Sequence, residues 1–445
     1  MRKTSVHASS SRRRAARTRG GQAAVALGVL LAVAACGNDQ SGTSGSSTAS
    51  GATGTSASPG TPSTTPGTTT PAAPSTSPPR SVAPPPARTT TSKPVESCVN
   101  RVYDGMTQAQ RVGQLFMTAV STTGLTSSES AAITQGRAGS VILMGHNSAG
   151  TAAIKSVTNR AQTFSPTVRG VTVHMLVSTD QEGGKVQVLS GPGFSTMPSA
   201  VTQGKWSTSQ LQSSATTWGR QMKAAGVNMN LAPVADTVPP NLVTVNAPIG
   251  LLSREYGTDP ATVASHSTAF LRGMQQAGVL PTAKHFPGLG RVVGNTDLTA
   301  NVKDTVTTRT DAYLAPFRSA VQAGSPFIMI SSAIYTKIDP ATQATFSSTV
   351  IRGMLRGDLG FQGVVISDDV GNAVQLKDHT PAQRAVDFIA AGGDIVLTVK
   401  PSDIAPMTAA VIQRIPQNAA FGKAVQDAVH RVLNEKQKAG LLSCG

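Results

Sequence analysis

Cysteine is nearly absent from this chain. Its 445 residues include three, Cys36, Cys98 and Cys444. None lies in a CxxC pair, and the seven histidines have no metal-ligand spacing. Zinc-ribbon and dithiol redox readings are therefore excluded, and no metal is expected. No glycine-rich phosphate loop is present, and no cofactor is expected. Aromatic residues make up only 4% of the chain. With no basic helix, zinc pattern or aromatic-rich basic strand, nucleic-acid binding is not expected either. Acidic residues are scarce, 22 against 38 basic ones, for a formal charge of +16. Seven of those positive charges (Arg2, Lys3, Arg12, Arg13, Arg14, Arg17 and Arg19) precede residue 20, which leaves +9 for the rest. A modestly basic remainder suits an anionic envelope or wall.

Long apolar runs are missing too. AAVALGVLLAVAA, from Ala23 to Ala35, is too short for a comfortable membrane span but has the length of a signal h-region behind a positive n-region. It ends in Val33-Ala34-Ala35-Cys36-Gly37, which resembles a bacterial lipobox. Residues 1–35 are read as a lipoprotein signal, with Cys36 as the lipidated residue. The alternative is ordinary cleavage at an Ala-x-Ala site with Cys36 incidental. Residues 36–96 are Ser, Thr, Gly, Pro and Ala with almost no large apolar side chains. Such a composition cannot offset its ordering entropy and reads as a disordered tether, stiffer at PPRSVAPPP. The expected location is outside the cell, lipid-anchored to the outer face of the membrane and facing the wall. With Cys36 acylated, Cys98 and Cys444 remain as one pair at the two ends of the folded region. An oxidising compartment favours a disulfide between them over two free thiols.

Residues 97–445 suffice for one large barrel or two ordinary domains. Eight apolar, β-branched runs recur, at 114–120, 140–145, 173–180, 227–234, 279–286, 326–334, 363–369 and 394–399. Helical patterns such as LQSSATTWGRQMKAAG and TVASHSTAFLRGMQQAG lie between most of them, each closed by Gly. Continuous apolar runs are the mark of parallel strands buried on both faces. The expected fold is α/β, a single (β/α)8 TIM-like barrel. Asp180, Asp236, Lys284-His285 and Asp368-Asp369 fall at or just past the C-terminal ends of the runs, the face where such barrels build active sites.

Several motifs are specific. They are DQEGGKVQ (180–187), GVNMNLAPVAD (226–236), KHFPGLG (284–290) and ISDDV (366–370), with MTQAQRVGQLFM (106–117) opening the region and VHRVLNEKQKAGLL (429–442) closing it. Together they resemble glycoside hydrolase family 3, in its single-domain β-N-acetylhexosaminidase branch, and most of all mycobacterial-type lipoproteins of that branch. The resemblance implies a retaining exo-β-N-acetylglucosaminidase acting on peptidoglycan-derived fragments through a covalent glycosyl-enzyme. It implies Asp368 as nucleophile, against a reading of Asp368 as a structural ion-pair partner. It also implies that Asp180, Lys284, His285 and Arg254 (in REYGTDP) bind the sugar. The implied partners are a carbohydrate substrate and, through the lipid, the membrane; a monomer is expected.

The resemblance breaks in the loop after KHFPG. The branch carries an Asp-Ser-His acid/base there, whereas this chain reads KHFPGLGRVVGNTD. Asn295 takes the aspartate's place and Asp297 the histidine's. Leu289 also replaces a histidine, and Val188 stands where relatives have an arginine. Either Asp297 is the general acid/base, or the loop is catalytically dead and the protein only binds glycans; Asn-Thr-Asp is also good turn chemistry. A β-glucosidase of the same family is the other enzymatic reading. Gly288, Gly290 and Gly294 suggest a mobile loop. An anionic Asp297 would repel phosphate, so hydrolysis is expected over phosphorolysis.

Overall fold

The computed structural model describes residues 97–444. The proposed signal, tether and Cys36 lie outside the described residues.

Each of the eight apolar runs supplies one parallel strand. These are β1 (Phe116–Ser121), β2 (Ser140–Met144), β3 (Leu176–Thr179), β4 (Met229–Asn230), β5 (Leu280–Phe286), β6 (Phe327–Ile330), β7 (Val364–Ser367) and β8 (Val396–Thr398). They pair in sequence order from β1 to β7, and β8 returns to β1 through Phe116↔Val396. The gap between β7 and β8 is bridged at Ile366↔Ile395, with the Ser367 N–H donating to the Ile395 carbonyl at 2.9 Å. β4 is short because Pro233, within the same run, has no N–H to give the ladder. The pairing resumes at Val234↔Lys284.

A helical segment follows every strand, from Ser127–Thr134 after β1 to Ile404–Arg414 after β8. Pro260–Gln276 shows how one is specified. Asp259 caps it, accepting from the Ala261 and Thr262 N–H groups, and Pro260 supplies the first turn. Val263, Phe270, Leu271 and Met274 recur at helical spacing and are buried. Gly278, at φ +71, ends it. Truncating Phe270, which packs on Trp218 of the preceding helix, would cost about 3–5 kcal/mol. Helices on the outside and side chains on the inside bury β3, β6 and β7 completely, which is why their sequences are continuous rather than alternating.

The end of the barrel opposite the strand C-termini is covered by Cys98–Gly105, Gln108–Gly113 and Ala419–Lys438. Lys436, fully buried, donates there to Gln114 Oε1 at 2.7 Å and to the Gly139 carbonyl at 2.9 Å. The expected disulfide joins Cys98 to Cys444, 346 residues apart in sequence.

Candidate active site

The site is assembled at the C-terminal ends of β3, β4, β5 and β7. Asp180 follows the last residue of β3, and Glu182 lies two residues on. In extended chain that spacing sends both side chains to the same side. Lys284, near the end of β5, reaches both, with Nζ 2.5 Å from Asp180 Oδ1 and 2.7 Å from Glu182 Oε1. Arg254 completes the cluster with a two-pronged grip on Glu182, at 2.8 and 2.7 Å, and a further bond to the Pro248 carbonyl. Three of its five N–H groups are thus committed to protein. Burial alone would raise the Glu182 carboxyl, but the Arg254 and Lys284 charges and their hydrogen bonds outweigh it and hold it at about 2. Burial likewise opposes the Lys284 charge, and Asp180 and Glu182 overcome it, so that its pKa is raised. The result is a fixed lysine cation in the mouth of a barrel.

His285 is held differently. Its Nδ1 lies 2.7 Å from Asp236 Oδ2, and its backbone N–H donates to Asp236 Oδ1 at 3.1 Å. Asp236 is fully buried and also accepts from the Leu289 N–H at 2.8 Å. That network fixes the imidazole plane and commits Nδ1, leaving Nε2 as the nitrogen for a ligand.

Asp368 stands directly after β7, and its N–H bonds to the Ile330 carbonyl at the end of β6. Asp369 is a structural neighbour. Its carboxylate accepts from the N–H groups of Gly371, Asn372 and Val399, tying the β7 loop to the end of β8. Arg384, buried in the next helix, secures the same loop through the Val370 and Gly371 carbonyls.

Asp297 faces these carboxylates. By surface area it is exposed, yet surrounding protein crowds its carboxyl. That crowding is the first cause that lifts its pKa to about 7; the charges of Asp368 and Asp369 come next. An acid titrating near neutrality beside a second carboxyl group is the arrangement that lets the two take different roles.

The loop carrying Asp297 is gripped at two places. Asn246 Nδ2 donates to the Leu289 and Val292 carbonyls at 2.8 and 2.6 Å. Further on, the Val374 N–H donates to the Asp297 carbonyl and the Gln375 N–H to the Thr296 carbonyl. Gln375, itself buried, pairs through its amide with both backbone polar atoms of Val302. The expectation of a mobile glycine loop is revised at Gly290. A Cβ there would stand 1.8 Å from the Thr237 carbonyl oxygen, so this glycine permits a close approach between two loops. Leu289, in the histidine's place, is buried in the main core.

All six residues expected at the site, Asp180, Arg254, Lys284, His285, Asp297 and Asp368, therefore converge on one mouth. Glu182 and Gln375 were not expected there. The i, i+2 spacing from Asp180 within DQEGG was a usable signal for Glu182. Nothing local marks Gln375, whose partners lie 73 residues away. Among the described residues no three His, Cys, Asp or Glu side chains are grouped to hold a metal ion.

Residues 107–435 match the glycosyl hydrolase family 3 N-terminal domain. The chain belongs to glycoside hydrolase family 3. It is 34% identical to a β-hexosaminidase of Stenotrophomonas maltophilia over 254 residues, covering 55% of this chain and 73% of the relative. The crystal structure of a β-N-acetylhexosaminidase from Beutenbergia cavernae superposes with a TM-score of 0.73 at 46% identity, covering 75% of this chain and 99% of that one. Mycobacterium tuberculosis LpqI shares the fold, with a TM-score of 0.61 at 24% identity over 74% of this chain and 93% of that one. This family 3 member is a glycoside hydrolase.

Proposed function

We propose that the enzyme is a retaining exo-β-N-acetylglucosaminidase that works through a covalent glycosyl-enzyme. The observation that carries this is the placement of Asp297, lifted to about 7, beside Asp368 in a mouth that also holds the Lys284 cation. In the first step an Asp368 oxygen bonds to the anomeric carbon as the glycosidic bond breaks. The departing oxygen takes the Asp297 proton. In the second, Asp297 removes a proton from water, the water oxygen bonds to the anomeric carbon, and Asp368 is released. Lys284 donates to sugar hydroxyls, and His285 Nε2 and Asp180 accept from them. Arg254 acts mainly by holding Glu182 and so fixing Lys284. The names borne by the relatives support N-acetylhexosamine as the sugar.

The cellular reading is also ours. The lipobox-like VAAC and the Ser/Thr/Pro tether support an exported, lipid-anchored enzyme acting on peptidoglycan-derived fragments. Mass spectrometry of the mature N-terminus tests the anchor: acylation on Cys36 supports it, and a mature chain lacking Cys36 refutes it.

Aryl β-N-acetylglucosaminide and aryl β-glucoside, assayed side by side, test the activity. Turnover of the first that disappears in Asp368→Ala supports the reading. Preference for the glucoside overturns the sugar assignment, and turnover of neither leaves a glycan-binding protein. Trapping with a slow fluorosugar should label the peptide containing Asp368.

A further inference from the structure

Among the described residues the exposed large aliphatic side chains are Val245, Leu251, Val293, Leu298 and Val306. They are not scattered. Val245 and Leu251 lie in the loop after β4, and the other three follow β5. Both loops border the mouth, and the Ala247 N–H joins them by donating to the Val293 carbonyl at 3.0 Å. Single exposed aliphatics are ordinary on any protein surface; their confinement to the loops of one functional end is not.

Leu298 adjoins Asp297 in the chain and is 77% exposed; Val293, four residues before Asp297, is 58% exposed. Leu298 also belongs to the turn that sets Asp297. Asn295 accepts from the Asp297 N–H through Oδ1 at 2.9 Å and from the Leu298 N–H through its carbonyl at 3.0 Å. We propose that Leu298 and Val293, on the loop joined through Ala247 to the one bearing Val245 and Leu251, form a platform that receives the aliphatic face of the leaving group. The proposal rests on Asp297 as the general acid. A departing oxygen must come within hydrogen-bond reach of that carboxyl, so the group attached to it leaves across the residues flanking Asp297. The platform carries no aromatic ring, since VTVNAPIGLL (243–252) and PGLGRVVGNTDLTANV (287–302) contain none. It therefore suits methylene chains and the C–H faces of saturated rings rather than stacked π systems.

The test is a series of alkyl β-N-acetylglucosaminides from methyl to hexyl. Their alkoxide leaving groups are nearly equal in basicity, so chain length reports contact and not leaving ability. In the wild-type enzyme kcat/KM should rise about two-fold per methylene, as for methylenes half-covered on binding. In Leu298→Ser with Val293→Thr the slope should flatten, while the melting temperature, read alongside, stays near wild type because both side chains face water. A wild-type enzyme that cleaves the nitrophenyl glycoside but shows no chain-length dependence overturns the platform and leaves the glycosidase reading standing. A slope that persists in the double variant overturns it too. Failure on nitrophenyl and alkyl glycosides alike removes the glycosidase reading and the platform with it.

Discussion

Gln375 holds both backbone polar atoms of Val302, accepting from its N–H at 2.9 Å and donating to its carbonyl at 3.2 Å. The same turn bonds to the carbonyls of Thr296 and Asp297, so a loop belonging to the strand that ends at Asp368 fixes both ends of the segment bearing Asp297. In the proposed mechanism Gln375 is a positioning residue. Gln375→Ala should lower turnover of nitrophenyl and alkyl substrates about ten-fold or more, and dinitrophenyl turnover far less, because only poor leaving groups need the proton. A merely structural loss would lower both alike.

Asp297 itself should set the alkaline limb of kcat/KM. Its carboxyl titrates at about 7, and the first step requires the protonated form, so activity should fall as pH rises through 7. Asp297→Ala should lose that limb, slow poor leaving groups by about 10²–10⁴-fold, and recover with azide on activated substrates. Full activity of this variant on alkyl glycosides would show that another group donates the proton. With phosphate added, the wild-type product should remain the free sugar; sugar 1-phosphate would point to phosphorolysis.

Glu182 links the site to acid stability. Its pKa is about 2 in the folded state against 4.5 for an unperturbed carboxyl. The stability it contributes is complete above pH 4.5 and is lost as pH falls from there toward 2. Glu182→Gln leaves Lys284 and Arg254 short of a buried counter-charge and should cost about 3–5 kcal/mol at neutral pH. Its urea midpoint should then change less than wild type between pH 4.5 and 2.

Lys436 works in the other direction. Two neutral acceptors do not replace a counter-charge, and burial lowers its pKa from 10.5 to about 7. Between those values the unfolded chain binds the proton more readily than the folded one, so this residue makes stability rise with pH from about 7 to 10.5. Lys436→Met should remove that rise, as followed by thermal unfolding across the interval.

The barrel was legible because its code is local. A buried parallel strand needs an apolar run and a helix needs a periodic one, and both lie within a dozen residues. KHFPG and ISDD were legible for the same reason: the side chains that converge on the mouth sit at strand ends. The partners that hold them were not. Glu182 could have been read from Asp180 by spacing, but Gln375 finds Val302 only once the chain has closed. Glycine was the misleading signal. At Gly290 the missing Cβ makes room for the Thr237 carbonyl, a reason no local pattern separates from mobility.

The bridge between Cys98 and Cys444 turns the intervening chain into a covalent ring. A protease that cuts once in an exposed mouth loop, for example beside Leu251 or Leu298, releases no fragment. The ring merely opens, with new ends at the cut and the old ones still joined by sulfur. Such a nicked molecule is a circular permutant made by hydrolysis, and its two pieces separate only under reducing conditions.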